Sequence, residues 1–167
     1  KGSYYYWHIK YKKKVLSYWQ SCCSLIKKYN IELMTLHFFE HQIQIALIRQ
    51  QLTNIPQLLE YGFDYIEHGK YNEHGIYFKR FFNQAKAIYW LLKKENYNIV
   101  HDSLARAEEA LLLLGKDNMT YINYLRGKLY FYLNDMKHTY VFYKEAYRQS
   151  ANLTIFYKDE FIDMLTE

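Results

Sequence analysis

Glycine, proline and cysteine are all scarce in this chain, and each shortage excludes a class of protein. The 167 residues include six glycines and one proline, too few for a β-sheet protein with many tight turns. Long helices joined by short turns need fewer of both, so the composition favours an all-α fold. The two cysteines, Cys22 and Cys23, are adjacent. This excludes a secreted disulfide framework and leads us to expect reduced thiols in the cytoplasm.

Long apolar runs are also missing. No stretch of about 18 uncharged apolar residues occurs, so we expect no membrane span, and residues 1–3 lack signal-peptide architecture. Half of the residues are nevertheless hydrophobic and 20% are aromatic. Such a chain can offset the entropy cost of ordering, which excludes a disordered protein. The length predicts a single domain over residues 1–167, in which residues 1–30 form an N-terminal capping or linker helix.

Apolar residues recur at spacings of three and four along the chain, as is typical of amphipathic helices. The pattern predicts helices over residues 5–29, 31–52, 55–68, 74–95, 99–115, 118–133, 136–150 and 152–166. One apolar stripe consists of Phe78, Phe82, Ala85, Tyr89 and Leu92. Another consists of Val100, Leu104, Ala107, Leu111 and Leu114. Each stripe must be covered by another helix.

Turn and capping residues separate these helices. Pro56 suits the first turn of a helix, and Gly115 suits a left-handed cap at the end of one. Asn134 and Asp135 predict a tight joint between two helices. Residues 68–75, with two glycines and two histidines, predict the clearest loop.

The C-terminal half contains a repeating pattern of small and aromatic residues. Gly127 and Tyr130 are followed, after the joint, by Thr139, Tyr143 and Ala146. This spacing is typical of tetratricopeptide-like repeats. Gly127 and Ala146 would let two helices approach closely, while the two tyrosines fill the space between them.

Two further segments fit the same scheme less closely. Residues 83–110 form one unit, with a longer joint over 93–98, and residues 31–68 form another. The sequence therefore predicts tetratricopeptide-like helical hairpins forming a right-handed superhelix, with a concave face open to a ligand.

Three strings carry a resemblance to a known family: Asn83-Gln-Ala-Lys-Ala-Ile-Tyr89, Leu125-Arg-Gly-Lys-Leu-Tyr130 and Lys144-Glu-Ala-Tyr-Arg148. With residues 155–162 they resemble the C-terminal repeats of peptide-sensing bacterial transcription regulators of the Rap/Rgg/NprR/PlcR/PrgX (RNPP) group, especially the PlcR-like members. The resemblance covers about residues 74–166.

The resemblance implies a quorum-sensing-type sensor domain whose concave face holds a short extended peptide. Such regulators usually carry an N-terminal helix-turn-helix domain, and none is evident in residues 1–60. DNA would then be bound only through a domain not evident in this chain. The predicted helix 152–166 is either a homodimer surface or a plain terminal cap.

The first helix of each hairpin would line the concave face. The predicted peptide contacts are Lys79, Phe82, Asn83, Lys86, Tyr89, Tyr121, Asn123, Tyr124, Lys128 and Phe131. Asparagine amides can both donate to and accept from an extended backbone, and aromatic rings offer apolar pockets. Lys86 and Lys128 would meet a terminal carboxylate. The alternative is that the aromatic residues form inter-repeat core and the lysines a solvated face.

Two other binding functions remain open from the sequence, and a metal-dependent enzyme is a third alternative. One is a constitutive protein–protein scaffold, such as a secretion chaperone or assembly factor, without a signalling peptide. The other is nucleic-acid binding through helix 5–29, where lysines such as Lys12, Lys13 and Lys14 lie among tyrosine and tryptophan residues. The net charge of +5 permits this function but is modest.

Catalytic and metal-binding patterns are weak. His37, Glu40 and His41 could hold a metal, yet no third ligand is apparent beside the two histidines, and a structural role is the simpler interpretation. His68 and His74 form a second weak pair. Neither a phosphate-binding glycine loop nor a G-x-S-x-G motif occurs. We therefore expect no enzyme activity, no cofactor and no metal.

Overall fold

The computed structural model describes residue 21 and residues 32–49, 51–68, 73–116 and 119–150. Every regular element in these segments is helical, which confirms the all-α prediction for the described residues. Contacts divide the chain into two compact units with the boundary between residues 71 and 72. The units are described separately below, and a single domain over residues 1–167 stays a prediction.

Unit 1 contains one helical hairpin. Helix α1 (Glu32–Arg49) and helix α2 (Ile55–His68) are joined by a 3-10 turn over Leu52–Asn54. α1 packs against α2, and the Phe39 ring lies 6.3 and 6.4 Å from the rings of Tyr61 and Tyr65. Pro56 occupies the first turn of α2, where its missing N–H costs no helical hydrogen bond.

Unit 2 contains two stacked helical hairpins. Its helices are α3 (Glu73–Lys93), α4 (Tyr97–Leu113), α5 (Thr120–Tyr132) and α6 (Met136–Ser150). α3 packs against α4 and α5 packs against α6, while α5 also contacts α3 and α4. The first helix of the second hairpin therefore lies against both helices of the first.

Left-handed residues end the helices of unit 2 where the sequence predicts joints. Gly115 has a φ of +66°, and its N–H donates to the Leu112 carbonyl at 2.9 Å. Asn134 has a φ of +58°, and Asp135 accepts the His138 N–H at 3.1 Å through Oδ1. Both predicted caps are confirmed. A left-handed residue allows hydrogen bonds to the last carbonyls of a helix, and an aspartate oxygen accepts a hydrogen bond from an N–H group in the first turn of the next helix.

One apolar cluster holds the two hairpins of unit 2 together. Its buried members are Ala87, Leu91, Val100, Leu104, Ala107, Leu111, Met119, Ile122, Leu125 and Leu129. Four of the five residues in the predicted α4 stripe belong to it, and the fifth, Leu114, caps the helix. The cluster contains residues of α3, α4 and α5, which explains why α5 packs against the first hairpin.

α5 and α6 approach closely at Gly127. A Cβ built there would lie 3.0 Å from Cγ of Tyr143, and nearer still to Cδ1 and Cε1. Ala146 is fully buried on α6. The predicted close approach at small residues is confirmed.

Three sequence-based boundaries need correction. The predicted loop 68–75 overlaps the predicted helix 74–95, and the structure places residues 73–75 in α3, with Gly75 buried inside the helix. Leu92 is 46% exposed, so the predicted α3 stripe ends at Tyr89. The joint after α3 is residues 94–96, as short as the joint 133–135 after α5; left-handed Lys94 and Asn96 make so short a turn feasible.

The predicted helices 5–29 and 152–166, the vicinal cysteines and the lysine cluster near residue 13 lie outside the described residues. Within residues 32–49, 51–68, 73–116 and 119–150, no helix has the length and apolar character needed to cross a membrane.

Candidate functional site

One face of α5 is lined by aromatic residues and a lysine. Helical geometry of about 100° per residue places them within about 80° of one another. They are Tyr121, Tyr124, Lys128 and Phe131, and we refer to them as the α5 face. Three are half-buried, and Phe131 is 45% exposed. Four of the ten predicted contacts therefore share one partly exposed face of α5, on which Tyr121 and Tyr124 also pack against the apolar cluster.

Ring contacts hold the α5 face in place. The Tyr124 ring lies 6.0 Å from that of Tyr121 and is stacked at 6.1 Å on Tyr143 of α6. Nζ of Lys128 lies 5.4 Å from the Tyr124 ring centroid, within the range of a cation–π interaction. The Tyr143 ring is itself fixed over Gly127. The close approach of α5 and α6 thus positions Tyr124 and, through it, the lysine.

A second lysine and tyrosine lie at the C-terminal end of α5. Nζ of Lys94, in the joint after α3, is 5.4 Å from the Tyr132 ring centroid. Since Lys94 follows α3 directly, the C-terminal ends of α3 and α5 are neighbours. The sequence interpretation missed both residues. Little in the sequence marks these two residues as candidate contacts, because Tyr132 only continues the aromatic run and Lys94 lies in a joint.

The predicted aromatic contacts of α3 are enclosed. Phe82 is 0% exposed and Tyr89 is 8% exposed. They lie about 140–180° around the helix from Ala87 and Leu91, which join the cluster with α4 and α5. α3 is therefore buried on two opposite sides. A ligand could touch Phe82 or Tyr89 only after the surrounding structure opened, and their role as contacts stays a prediction.

The predicted polar contacts of α3 lie beside Phe82 on the helix surface, with Lys79 and Lys86 about 40–60° and Asn83 about 100° around the axis from it. Lys79 is exposed and Lys86 half-buried, and Lys93, seven residues further on, continues the row. Asn83 is 7% exposed, and its Nδ2 donates to the Lys79 carbonyl at 2.8 Å. The side-chain amide of Asn83 therefore already donates a hydrogen bond within α3. The sequence interpretation missed Lys93, which the seven-residue spacing could have identified.

Asn123 lies apart from the α5 face. It is 6% exposed and about 140° around α5 from Lys128. That places it on the side that carries Gly127, which α6 covers. Both predicted asparagines are therefore buried, whereas the α5 face is partly exposed.

The opposite side of α5 carries an ion pair instead of a lysine. Nη2 of Arg126 donates to Oε2 of Glu108 on α4 at 2.5 Å, and its guanidinium lies 5.7 Å from the Phe142 ring centroid of α6. This arginine therefore joins three helices, and its charge is balanced locally.

The histidine pair of unit 1 is part of a packed helix face. Nδ1 of His37 lies 3.1 Å from Oε2 of Glu40, and Nε2 of Gln44 donates to Oε1 of the same carboxylate at 3.3 Å. Burial lowers the pKa of His41, against an opposing effect of Glu40. Glu40 is 6% exposed, which suits a structural polar group better than an open site.

Among the described residues, no three or more histidine, cysteine, aspartate or glutamate side chains are arranged to hold a metal ion. His68 ends α2, where its Nδ1 lies 2.9 Å from the Asp64 carbonyl, while His74 belongs to α3.

Comparison with protein-family models, with curated proteins and with solved structures finds no match for this chain.

Proposed function

We propose that this chain is the peptide-binding sensor domain of a quorum-sensing-type transcription regulator, and that the α5 face contacts the peptide. The observation that carries the proposal is the aromatic surface with one lysine on the first helix of a stacked hairpin. The predicted right-handed superhelix of tetratricopeptide-like hairpins, and its concave face, are part of the same proposal.

The chemistry of the α5 face suits an extended peptide. Tyrosine and phenylalanine rings offer large, rigid apolar contacts that lose little entropy on binding. The contacts of Tyr124 with Tyr121 and Tyr143 hold its ring in position before a ligand arrives. Preorganisation of this kind raises affinity because fewer rotamers are lost on binding.

Signalling would follow from a population shift. Tyr124 and Tyr143 link the α5 face to the contact between α5 and α6. A peptide that binds one arrangement of these two helices more tightly increases the population of that arrangement. An attached effector domain, or a dimer contact, that depends on the same arrangement would then respond to the peptide.

The test is a positional-scanning array of heptapeptides probed with the full chain, followed by fluorescence anisotropy on the strongest binder. Phe131→Ala removes an exposed ring of the α5 face and is expected to weaken binding by about tenfold. Tyr140→Ala is the matched control, since Tyr140 is 63% exposed on α6; it is expected to change affinity by less than about twofold. Equal losses in the two variants would contradict the proposed surface.

A second candidate function rests on the exposed side of α6. Met136, Tyr140 and Val141 are 62%, 63% and 51% exposed, an apolar surface that would suit a partner protein. A scaffold of this kind would bind no peptide in the array. Failure of every heptapeptide would therefore favour the scaffold over the sensor.

A further inference from the structure

The two hairpins of unit 2 repeat with an offset of 39 residues, since α4 begins at Tyr97 and α6 at Met136. The ends of α3 at Lys93 and of α5 at Tyr132 have the same offset. Residues separated by this offset therefore hold equivalent positions in the two hairpins. Burial agrees with the alignment in three pairs of buried residues: Val100 and Thr139, Ala107 and Ala146, and Leu111 and Ser150.

One side of α4 packs against α5. Leu104 belongs to the apolar cluster that includes residues of α5, and Tyr97 packs against that cluster. Glu108 forms the ion pair with Arg126 of α5. His101 lies on the same side of α4, at its exposed edge. The side of α4 that faces α5 therefore follows spacings of four, three and four residues.

The equivalent side of α6 is apolar and partly open. Its residues are Met136, Tyr140, Tyr143 and Tyr147, and we refer to them as the α6 face. Tyr143 is half-buried, whereas Met136, Tyr140 and Tyr147 are 62%, 63% and 44% exposed. An apolar stripe on a helix is normally covered by another element. For α4, that element is the helix that follows it in sequence.

Residues 152–166 follow α6 in sequence, and their predicted helix carries a matching stripe. Leu153, Tyr157, Phe161 and Met164 recur at spacings of four, four and three residues. Both this stripe and the α6 face extend over about 16 Å of helix, at 1.5 Å per residue. Residues 152–166 lie outside the described residues, so the match is one of sequence pattern and length.

We infer that the α6 face is the docking surface for residues 152–166 of the same chain. The connection after Ser150 is short, and short connections place consecutive helices side by side. A segment tethered in this way has an effective concentration on the order of 1 mM, which favours it over a separate chain. Docking would cover the apolar surface on which the scaffold candidate rests, and it is independent of peptide binding by the α5 face.

Net charge favours the same occupant. α6 carries Lys137, Lys144 and Arg148 against Glu145. Arg148 is paired with Glu145, and Nζ of Lys144 lies 5.7 Å from the Tyr140 ring centroid, so the attraction comes from the net charge of the helix and not from an unpaired group. Residues 152–166 have the opposite net charge, with one lysine, Lys158, and three carboxylates, Asp159, Glu160 and Asp163. A second copy of α6 would instead bring two cationic helices together, which is unfavourable.

The test is cross-linking within the full chain. Cys22→Ser and Cys23→Ser remove the native thiols, and Lys144→Cys, beside the α6 face, is combined with Lys158→Cys. A short bismaleimide is expected to join this pair at least about tenfold faster than the control pair, Ala105→Cys with Lys158→Cys. Ala105 is the matched position because it is exposed on α4 and equivalent to Lys144.

Further substitutions separate docking on the α6 face from tethering alone. Added to the first cysteine pair, Tyr147→Asp places a charge in the face and is expected to slow the cross-link about fivefold. Val141→Asp is the matched control, since Val141 is 51% exposed on α6 and lies about 120° around the helix from Tyr147; the rate should stay within about twofold. Phe161→Asp makes the same test from the segment and leaves α6 unaltered, and far-UV circular dichroism checks that each variant keeps its helices.

The products distinguish the possible occupants of the α6 face. Isotope-labelled and unlabelled chains are mixed before cross-linking, and mass spectrometry of tryptic peptides assigns each link. Links within one chain support the inference, whereas links between labelled and unlabelled chains would identify a second copy and overturn it. Equal rates for the two cysteine pairs, or equal slowing by Tyr147→Asp and Val141→Asp, would also overturn it and leave the face open to a partner protein. Peptide binding by the α5 face is tested separately by the peptide array.

Discussion

Gly127→Ala tests the close approach of α5 and α6, on which the position of Tyr124 depends. The added Cβ would lie 3.0 Å from Cγ of Tyr143, and nearer to two other ring atoms, where ordinary contact begins at 3.4 Å. The substitution must therefore displace the ring or separate the helices.

Two opposing terms set the magnitude. Replacing glycine by alanine inside a helix stabilises it by about 1 kcal/mol. Overpacking at a tight contact costs about 1–3 kcal/mol. The overlap involves Cγ, at the base of the Tyr143 ring, so rotation of the ring tip cannot relieve it, and we expect the upper part of that range. Gly127→Ala should therefore lower the free energy of unfolding by about 1–2 kcal/mol.

The sign of the effect reverses once Tyr143 is removed. In a Tyr143→Ala background the overlap no longer exists, and Gly127→Ala should stabilise the chain by about 1 kcal/mol. Urea unfolding followed by far-UV circular dichroism measures both values, and the exposed Ala105→Gly on α4 calibrates the propensity term. Stabilisation by Gly127→Ala in the otherwise unchanged chain would refute the close contact.

Three further substitutions test other parts of the structure. Arg126→Met breaks the ion pair with Glu108 and should lower the free energy of unfolding by about 1 kcal/mol, a loss that shrinks in 0.5 M salt; a loss independent of salt would contradict the ion pair. The lowered pKa of His41 means that the folded chain binds protons less readily than the unfolded chain. Stability should therefore fall as the pH drops from about 7 to 5, and His41→Gln should flatten that dependence in thermal unfolding; an unchanged slope would contradict it. Gly115→Ala should lower the free energy of unfolding by about 1 kcal/mol through its positive φ alone, since no atom lies within 4 Å of the added Cβ; a neutral result would show that the left-handed cap is not formed.

The helices of the described segments were predictable because their stabilising pattern is local. Spacings of three and four marked α1 to α6, and their ends differ from the predicted ones by at most three residues. The approach of α5 and α6 was also predictable, since Gly127 and Ala146 leave room that a larger residue would fill. The loop prediction was wrong for residues 73–75, although the predicted helix 74–95 already contained two of them; Gly75 resembles a helix breaker in sequence, yet it is buried in α3.

The candidate site was harder to predict, because periodicity does not say which side of a helix stays open. α3 is apolar on two sides, and the sequence alone does not show that both are enclosed. Phe82 and Tyr89 were therefore selected as contacts although they are buried. On α5, the polar Lys128 within the aromatic set marked a partly exposed side, and four of the five residues predicted on that helix share it.

Hydrogen exchange with mass spectrometry tests the central claim, peptide binding by the α5 face, most directly. The full chain is compared alone and saturated with the strongest-binding heptapeptide, because bound ligand slows local opening of the helix that it contacts. We predict slower exchange in residues 119–132 and little change in residues 97–113. A bound peptide that slows exchange only in residues 136–150, or nowhere in unit 2, would contradict the account.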